Sequence, residues 1–339
     1  MRDVAIVVPT WNGERFLGEC LASLAAQTQP HRTIVVDNGS VDGSVALVRE
    51  CFPAVELVLL AENQGFAGGV NRGIEAALAG GAELVALLNN DAVADERWLE
   101  HLVVTAAEHP DVGVVTAKLL AFDREHLDST GDCYGGWGLP WPRGRGELDR
   151  GQYEDAVEVF AASGGASLYR AGMLRGVGTF DEAFFAYYED VDLSFRARLA
   201  GWGVRYAPAA RAYHRIGGTS AALPDFARFH VLRNLPWLFV KDMPGPLLRR
   251  HLPRFALLYL SMLVSGLARG HAAVTVAAAA AALRGLPAVL VRRRRVQALR
   301  TVDVATLDAL LDHQLPDDQQ ALRRVHVRLS RLRRRAGRR

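Results

Sequence analysis

A chain of 339 residues, half of them apolar, holds enough hydrophobic surface for one large domain plus a smaller one, which excludes a largely disordered protein. The formal net charge of +3 hides an asymmetry: from Arg292 onward 14 arginines stand against 5 acids, so the last 48 residues carry +9 and the rest −6. Cys20, Cys51 and Cys133 have neither the close spacing of a metal site nor the even count of a disulfide framework, which fits a reducing cytosol.

The apolar run Val4 to Val8 is too short for a secretory h-region and meets the polar turn Thr10-Trp11-Asn12-Gly13 at once, so this part is expected to stay on the side where it is made. Short β-rich runs then alternate with helical patterns, the signature of βαβ units. Strands are predicted over Val4–Pro9, Thr33–Asp37, Val55–Leu60 and Leu84–Leu88, and helices over Phe16–Gln27, Ser44–Cys51 and Gly69–Leu78. Glu96–His109 reads as a helix with Trp98, Leu99, Leu102 and Val103 inward, and Val112–Ala117 as a strand. Between Phe122 and Asp155 the chain is rich in Gly, Pro, Trp and charge without a clear period, as in a long functional loop. Val157–Phe160 and Val204–Ala207 are further predicted strands, and Glu189–Ala200 a helix. After about Ala222 Pro-bounded helices take over, dividing the chain into 1–221 and a helical region, 222–339.

The buried-looking run Leu84-Val85-Ala86-Leu87-Leu88 stops abruptly at Asn89-Asn90-Asp91, delivering a carboxylate to the edge of a sheet, where open α/β sheets hold ligands. Three earlier strand ends are also rich in Asp, Asn and Gly. Asp37 can accept from a pyrimidine imide N–H, Trp11 offers an apolar face, and glycines let backbone N–H groups approach phosphate oxygens. Taken singly, each loop has an ordinary turn composition.

Together, Pro9-Thr10-Trp11-Asn12, Val35-Val36-Asp37-Asn38-Gly39-Ser40, Asn63-Gln64-Gly65-Phe66-Ala67-Gly68-Gly69-Val70-Asn71 and Leu87-Leu88-Asn89-Asn90-Asp91 resemble, in order and spacing, the inverting family 2 glycosyltransferases, especially rhamnosyltransferase-type and galactofuranosyltransferase-type members. The resemblance continues through Ser163-Gly164-Gly165-Ala166, Gly178-Thr179-Phe180-Asp181-Glu182 and Tyr188-Glu189-Asp190-Val191-Asp192 to His214. It implies an α/β GT-A fold, a Rossmann-like mixed sheet with helices on both faces, and a nucleoside-diphosphate sugar donor with a divalent cation, Mg²⁺ or Mn²⁺. By motif position, Asp37 would hold the base, while Pro9, Thr10, Asn12, Asn38, Asn63, Gly65, Phe66, Asn71, Asn89 and Asn90 would complete the donor site. Asp91 would stand for the last acid of the DXD-type motif, with His214 completing the metal shell. Asn89 replaces the first acid, so diphosphate oxygens must supply more of the coordination sphere and the metal should bind mainly with donor. Asp190 matches the catalytic base, with Glu189 orienting the acceptor; Ser163, Gly164, Gly165 and Tyr188 fall on the acceptor side.

Physical chemistry supports these implications on its own terms. Departure of a nucleoside diphosphate builds negative charge that a bridging cation stabilises. Inversion at an anomeric carbon needs a carboxylate to take the acceptor hydroxyl's proton. Glu189, Asp190 and Asp192 crowd at a helix start, where one of them is expected to do plain structural work, for instance as an i,i+4 pair of Asp192 with Arg196.

Phe255–Ala268 is apolar all round but only 14 residues long, and His271–Val291 is longer yet interrupted by Arg284, Gly285 and Pro287. Flanked by Arg249, Arg250 and Arg292 to Arg295, the pair reads as a membrane-docking element on an anionic cytoplasmic leaflet, with a homodimer interface as the other use. The basic tail Arg323 to Arg339 carries an apolar stripe in place of interleaved aromatics, which argues against nucleic acid as a partner. The expectation is an inverting transferase on the inner face of the cell membrane, moving a sugar to a polyprenol-linked or polysaccharide acceptor. The first donor is dTDP-L-rhamnose, ahead of UDP-galactofuranose or another UDP-hexose. The readings outside this class are a silent nucleotide-sugar-binding scaffold and a sugar nucleotidylyltransferase; the latter would need a cation in its first loop, which Pro9-Thr10-Trp11-Asn12 lacks.

Overall fold

The computed structural model describes residues 3–218, 223 and 225–313; the Arg323 to Arg339 tail lies outside them. The chain opens with β1 (Val4–Thr10), α1 (Glu14–Ala25), β2 (Arg32–Asp37), α2 (Ser44–Cys51), β3 (Glu56–Leu59), α3 (Gly65–Ala79) and β4 (Leu84–Leu88). It continues through β5 (Ala92–Ala94), α4 (Trp98–Glu108) and β6 (Val112–Ala121), then the short strands β7 (Leu127–Ser129), β8 (Asp132–Tyr134) and β9 (Pro140–Pro142). β10 (Ala166–Arg170), α5 (Ala171–Val177), α6 (Glu189–Leu199) and β11 (Gly203–His214) complete the sheet, and α7 (Phe226–Asp242), α8 (Gly245–Ala268), α9 (Ala272–Ala298) and α10 (Val304–Leu310) follow.

The strands lie in the order β3-β2-β1-β4-β10-β6-β11-β5, with β7 on β6. β1, β2, β3 and β4 run parallel; β10 runs antiparallel between β4 and β6, which makes the sheet mixed. Side chains of β1 alternate between two cores: Val4, Ile6 and Val8 join one, Ala5 and Val7 the other. Helices cover both faces, α1 and α4 on the first, α3, α5 and α6 on the second, so β4 is apolar at every position. On α1 the buried Leu17, Cys20, Leu21 and Leu24 follow helical spacing, each aliphatic contributing about 1.5–3 kcal/mol of burial.

Three expectations are corrected. Val157–Phe160 makes only an isolated bridge, Glu158 to Arg205, and the strand that enters the sheet is β10, whose Ser167 and Arg170 interrupted the apolar pattern. Prolines bound α8, where Pro244 is the N-cap residue and Pro246 lies in the first turn, but Pro236, Pro253 and Pro287 lie inside α7, α8 and α9. Pro236 cannot donate to the carbonyl four residues back, and the Tyr259 hydroxyl donates to that Leu232 oxygen instead at 3.0 Å. The apolar hairpin is consequently longer than its sequence suggested, with continuous helices of 24 and 27 residues, long and apolar enough to cross a membrane by length and composition.

A third apolar cluster joins Tyr134, Phe160, Phe184 and Phe195 to Leu235, Trp237, Phe239, Leu258 and Val289, so packing crosses the compositional division at 221/222. The outer face of the hairpin is bare: Leu260, Val264, Val276 and Leu283 are 58%, 56%, 60% and 68% exposed.

Candidate active site

The carboxyl ends of β1, β2 and β4 share one edge, with Thr10 opposite Asp37 in the ladder. The amides that follow brace the loops against one another. The Asn12 N–H donates to Ser40 Oγ (2.8 Å) and its Oδ1 accepts from the Val41 N–H (2.9 Å). Asn38 Oδ1 accepts from the Gln64 N–H (2.8 Å), while its Nδ2 donates to the Gly65 carbonyl (2.8 Å) and to Asn63 Oδ1 (3.2 Å). Asn90 Nδ2 donates to Thr10 Oγ1 at 2.9 Å, so close under Gly13 that a Cβ there would sit 2.1 Å from the amide nitrogen. Pro9 lies within β1 beside this edge. Asp37 is 3% exposed; its Oδ2 accepts from the Ser40 N–H at 3.1 Å, but its Oδ1 is buried with no protein partner, an acceptor that lacks a donor.

Past β4 the turn Ser163-Gly164-Gly165 ties the sheet edge to α6. The Asn89 N–H donates to the Gly165 carbonyl (3.0 Å), and the Gly164 N–H donates to Asp190 Oδ2 (2.8 Å). A Cβ on Gly164 would lie 3.3 Å from Asp190 Oδ2 and 3.4 Å from the Phe66 ring, so Phe66 at the start of α3 and Asp190 meet over this backbone. Asp190 Oδ1 accepts from the Val191 N–H at 2.8 Å. Burial raises its pKa despite these N–H donors, and burial with the neighbouring Asp190 charge raises that of Glu189 further. Glu189 Oε2 is buried and unpartnered. Asp192 does the structural work anticipated for one acid, pairing with Arg196 (2.9 Å) and Lys241. Tyr188 caps α6 in the left-handed region at φ 72°.

Asp91 and His214 meet although 123 positions separate them: His214 Nε2 is 3.2 Å from Asp91 Oδ1, and β11 pairs with β5 directly beyond Asp91, His214 opposite Ala92. Two neighbouring ligands of an octahedral ion at 2.0–2.1 Å stand roughly 3.0 Å apart, so this pair fits a divalent cation. Among the described residues no group of three or more His, Cys, Asp or Glu side chains is arranged to hold a metal.

Sequence reasoning missed Asp128. It is 1% exposed on β7, inside the long loop, and its Oδ2 lies 2.7 Å from His214 Nδ1 while Arg145 lies 2.7 Å from its Oδ1. A carboxylate on the far nitrogen fixes the ring so that Nε2 faces Asp91, the usual outer support of a metal-binding imidazole. Burial disfavours the imidazolium, but the hydrogen bonds to Asp128 and Asp91 outweigh it and push His214 up to about 9. The irregular composition of 122–155 pointed to the loop, and nothing singled out this carboxylate. Asp132 was missed for the same reason; burial and the Asp190 charge raise it to about 7.

Asn71 lies behind the donor loop proposed from the sequence and braces it. Its Nδ2 donates to the Phe180 carbonyl and to Glu182 Oε1, both at 2.9 Å, and its Oδ1 accepts from the Phe180 N–H at 3.0 Å, so its amide is spent on clamping α3 to the segment before α6.

The family described as Glycosyl transferase family 2 matches residues 5–178. An N-acetylglucosaminyl-diphospho-decaprenol L-rhamnosyltransferase of Mycobacterium tuberculosis is 31% identical over 249 residues, 63% of this chain and 76% of that protein. A pre-mycofactocin glycosyltransferase of the same organism is 27% identical over 91% of this chain, which spans 60% of its length. Among solved structures, the mannosyltransferase PcManGT from Pyrobaculum calidifontis in complex with GDP-Man and Mn²⁺ superposes with TM-score 0.54 at 19% identity, covering 88% of this chain and 86% of that one. S. aureus TarS 1–349 in complex with UDP gives TM-score 0.55 at 18% identity over 87% and 88%. The mixed sheet and its two helix layers are thus the GT-A fold, and the chain belongs to glycosyl transferase family 2.

Proposed function

We propose that this glycosyltransferase inverts the anomeric carbon of a nucleoside-diphosphate sugar, dTDP-L-rhamnose first and UDP-galactofuranose or another UDP-hexose second, while transferring it to a lipid-linked or cell-envelope polysaccharide acceptor. The observation that carries the reading is the Ser163-Gly164-Gly165 turn, whose amides join Asp190 on one side to the β4 end before Asp91 on the other. That puts a carboxylate acceptor of protons within a short stretch of backbone from the Asp91–His214 pair. In this reading Asp190 takes the proton of the attacking acceptor hydroxyl, and Glu189 beside it orients the acceptor against Tyr188. The unpartnered Asp37 Oδ1 awaits the imide N–H of uracil or thymine, and Thr10, Asn38, Asn63 and Gly65 shape the backbone around the nucleotide. Asp91 and His214 would hold a divalent cation, which neutralises charge on the leaving diphosphate. The similarity to a rhamnosyltransferase named for a decaprenol-linked substrate supports the donor and acceptor classes. The bare apolar face of α8 and α9, with Arg249, Arg250 and Arg292 to Arg295 at its ends, supports peripheral docking on the cytoplasmic leaflet.

Calorimetry of donor binding across activated sugars, with and without Mn²⁺, tests the reading. It expects tight binding of one deoxyhexose or hexose nucleotide that weakens when the metal is removed. Equal, metal-independent binding of all donors would end it. Asp190→Asn separates enzyme from scaffold: loss of turnover with donor still bound is the enzyme's outcome.

A further inference from the structure

The acids at the head of α6 are held by a residue far along the chain, and this inference rests on the transferase reading above. Residues 184–188 take a costly path: Phe185, Tyr187 and Tyr188 have φ of 64°, 70° and 72°, a region that side-chain-bearing residues avoid at a cost of about 1–3 kcal/mol each. Something outside the loop must over-determine this conformation. Asn234, on α7 and fully buried, aims its amide nitrogen at it: Nδ2 lies 2.9 Å from the Phe184 carbonyl, 2.8 Å from that of Ala186 and 2.9 Å from that of Tyr187. The amide cannot turn over, because Arg233 Nε donates to Asn234 Oδ1 at 2.8 Å while its Nη2 donates to the Phe184 carbonyl at 2.6 Å.

The far side of the loop touches the donor site. The Phe185 carbonyl accepts from the Ala67 N–H at 3.1 Å, and the Phe185 ring lies where a Cβ on Gly65 would fall, 2.6 Å away. Tyr188 then starts α6, its carbonyl accepting from the Asp192 N–H at 2.9 Å, so the handedness of residues 187 and 188 sets the direction in which Glu189 and Asp190 leave the helix.

We infer that Asn234 is a positioning residue for sugar transfer, its amide locking the left-handed 184–188 loop so that Asp190 is presented to the Gly164 turn. Its contribution falls on the acid, because the Gly65 turn that the loop touches is also braced by Asn38 through the Gly65 carbonyl and the Gln64 N–H. Asn234→Leu keeps the bulk and removes the donors. It should lower kcat about 100-fold, the scale of a misplacement near 1 Å, with the donor KM within about twofold of wild type. Asn234→Gln, which keeps an amide on a longer stem, should recover part of that loss. Hydrogen exchange without substrate should show amides 185–190 exchanging about tenfold faster in Asn234→Leu while β1 and β4 are unchanged. Wild-type kcat in Asn234→Leu, or a loss of donor affinity equal to the loss of kcat, overturns the inference. If Asn234→Leu does not fold, Arg233→Lys decides: freeing the amide should cost about tenfold in kcat, and a value within twofold of wild type overturns it. The exchange arm needs no turnover, so a wild-type chain that transfers no sugar sinks the transferase reading without touching the clamp.

Discussion

The proposed donor side of the site and its acid side are built with opposite resources. At the ends of β1, β2 and β4, order comes from short-range braces between neighbouring loops, Asn12 to Ser40, Asn38 to Gln64, Asn90 to Thr10, all on a rigid parallel sheet. At the head of α6, order comes from α7: Asn234 and Arg233 grip the 184–188 loop, and the buried Lys241 lies 2.6 Å from Asp181 and against Asp192. The first arrangement is braced within the sheet edge and meets the clamped loop where Phe185 touches Gly65 and Ala67, whereas the second is held by α7 directly. Nucleotide binding and sugar transfer should accordingly be separable by mutation.

The largest effect expected is that of Asp190→Asn, which keeps the shape of the side chain and removes the proposed base. Transfer should fall by about 10²–10⁴-fold, with donor affinity measured by calorimetry unchanged. Lys241→Met comes next and acts on stability. The ammonium sits 2% exposed among Asp181, Asp192 and Asp242, which hold its pKa up against burial, so its removal leaves uncompensated buried carboxylates at a cost of about 3–5 kcal/mol. Chemical denaturation should show that loss, and a change below about 1 kcal/mol would mean that α7 is not needed by the acid side.

The metal arm gives a pH test. The metal-free His214 is pushed up to about 9, above its unfolded value near 6.5. Its contribution is therefore complete below about pH 6.5 and is lost as pH rises toward 9, up to ~3 kcal/mol in all. In chelator, the thermal midpoint should drop over that window, and His214→Gln should flatten the drop. Asp128→Asn leaves Asp91 and His214 in place but loosens the ring between them. Second-sphere carboxylates of this kind are worth about 10–100-fold in metal affinity, so Mn²⁺ titration in the presence of donor should weaken by that factor while donor binding without metal stays the same.

What could be read in the sequence follows the same division. Asp37, Asp91 and the Asn loops were visible because each sits directly after an apolar run that announces a strand, so its place on the sheet edge follows from local pattern. Asp190 was visible by motif alone. Asp128, Arg145, Asn234 and Lys241 were not, because each meets its partner through tertiary packing: Asp128 reaches His214 across 86 positions and Asn234 reaches Phe184 across 50. β10 escaped for a related reason, since Ser167 is buried against Thr116 and Arg170 caps the Ala106 and Val112 carbonyls, contacts that turn polar residues into proper strand residues.

The smallest effect on folding is expected at the hairpin, and it is the one that bears on where the acid side works. Val276 and Leu283 on α9 are 60% and 68% exposed, so Val276→Ser with Leu283→Ser removes little buried contact and should move stability by no more than about 0.5 kcal/mol each. A bilayer covering that face would withdraw both side chains from water, and the double variant would lose roughly 2–4 kcal/mol of that gain. Cosedimentation with anionic vesicles should then fall at least tenfold, with donor binding in solution unaffected. The same helix donates through Arg293 and Gln297 to the Val240 and Asp242 carbonyls at the end of α7, which ties the hairpin to the helix that holds the acid side. Unchanged vesicle binding together with a shift in sedimentation coefficient would assign the bare face to a second copy of the chain instead.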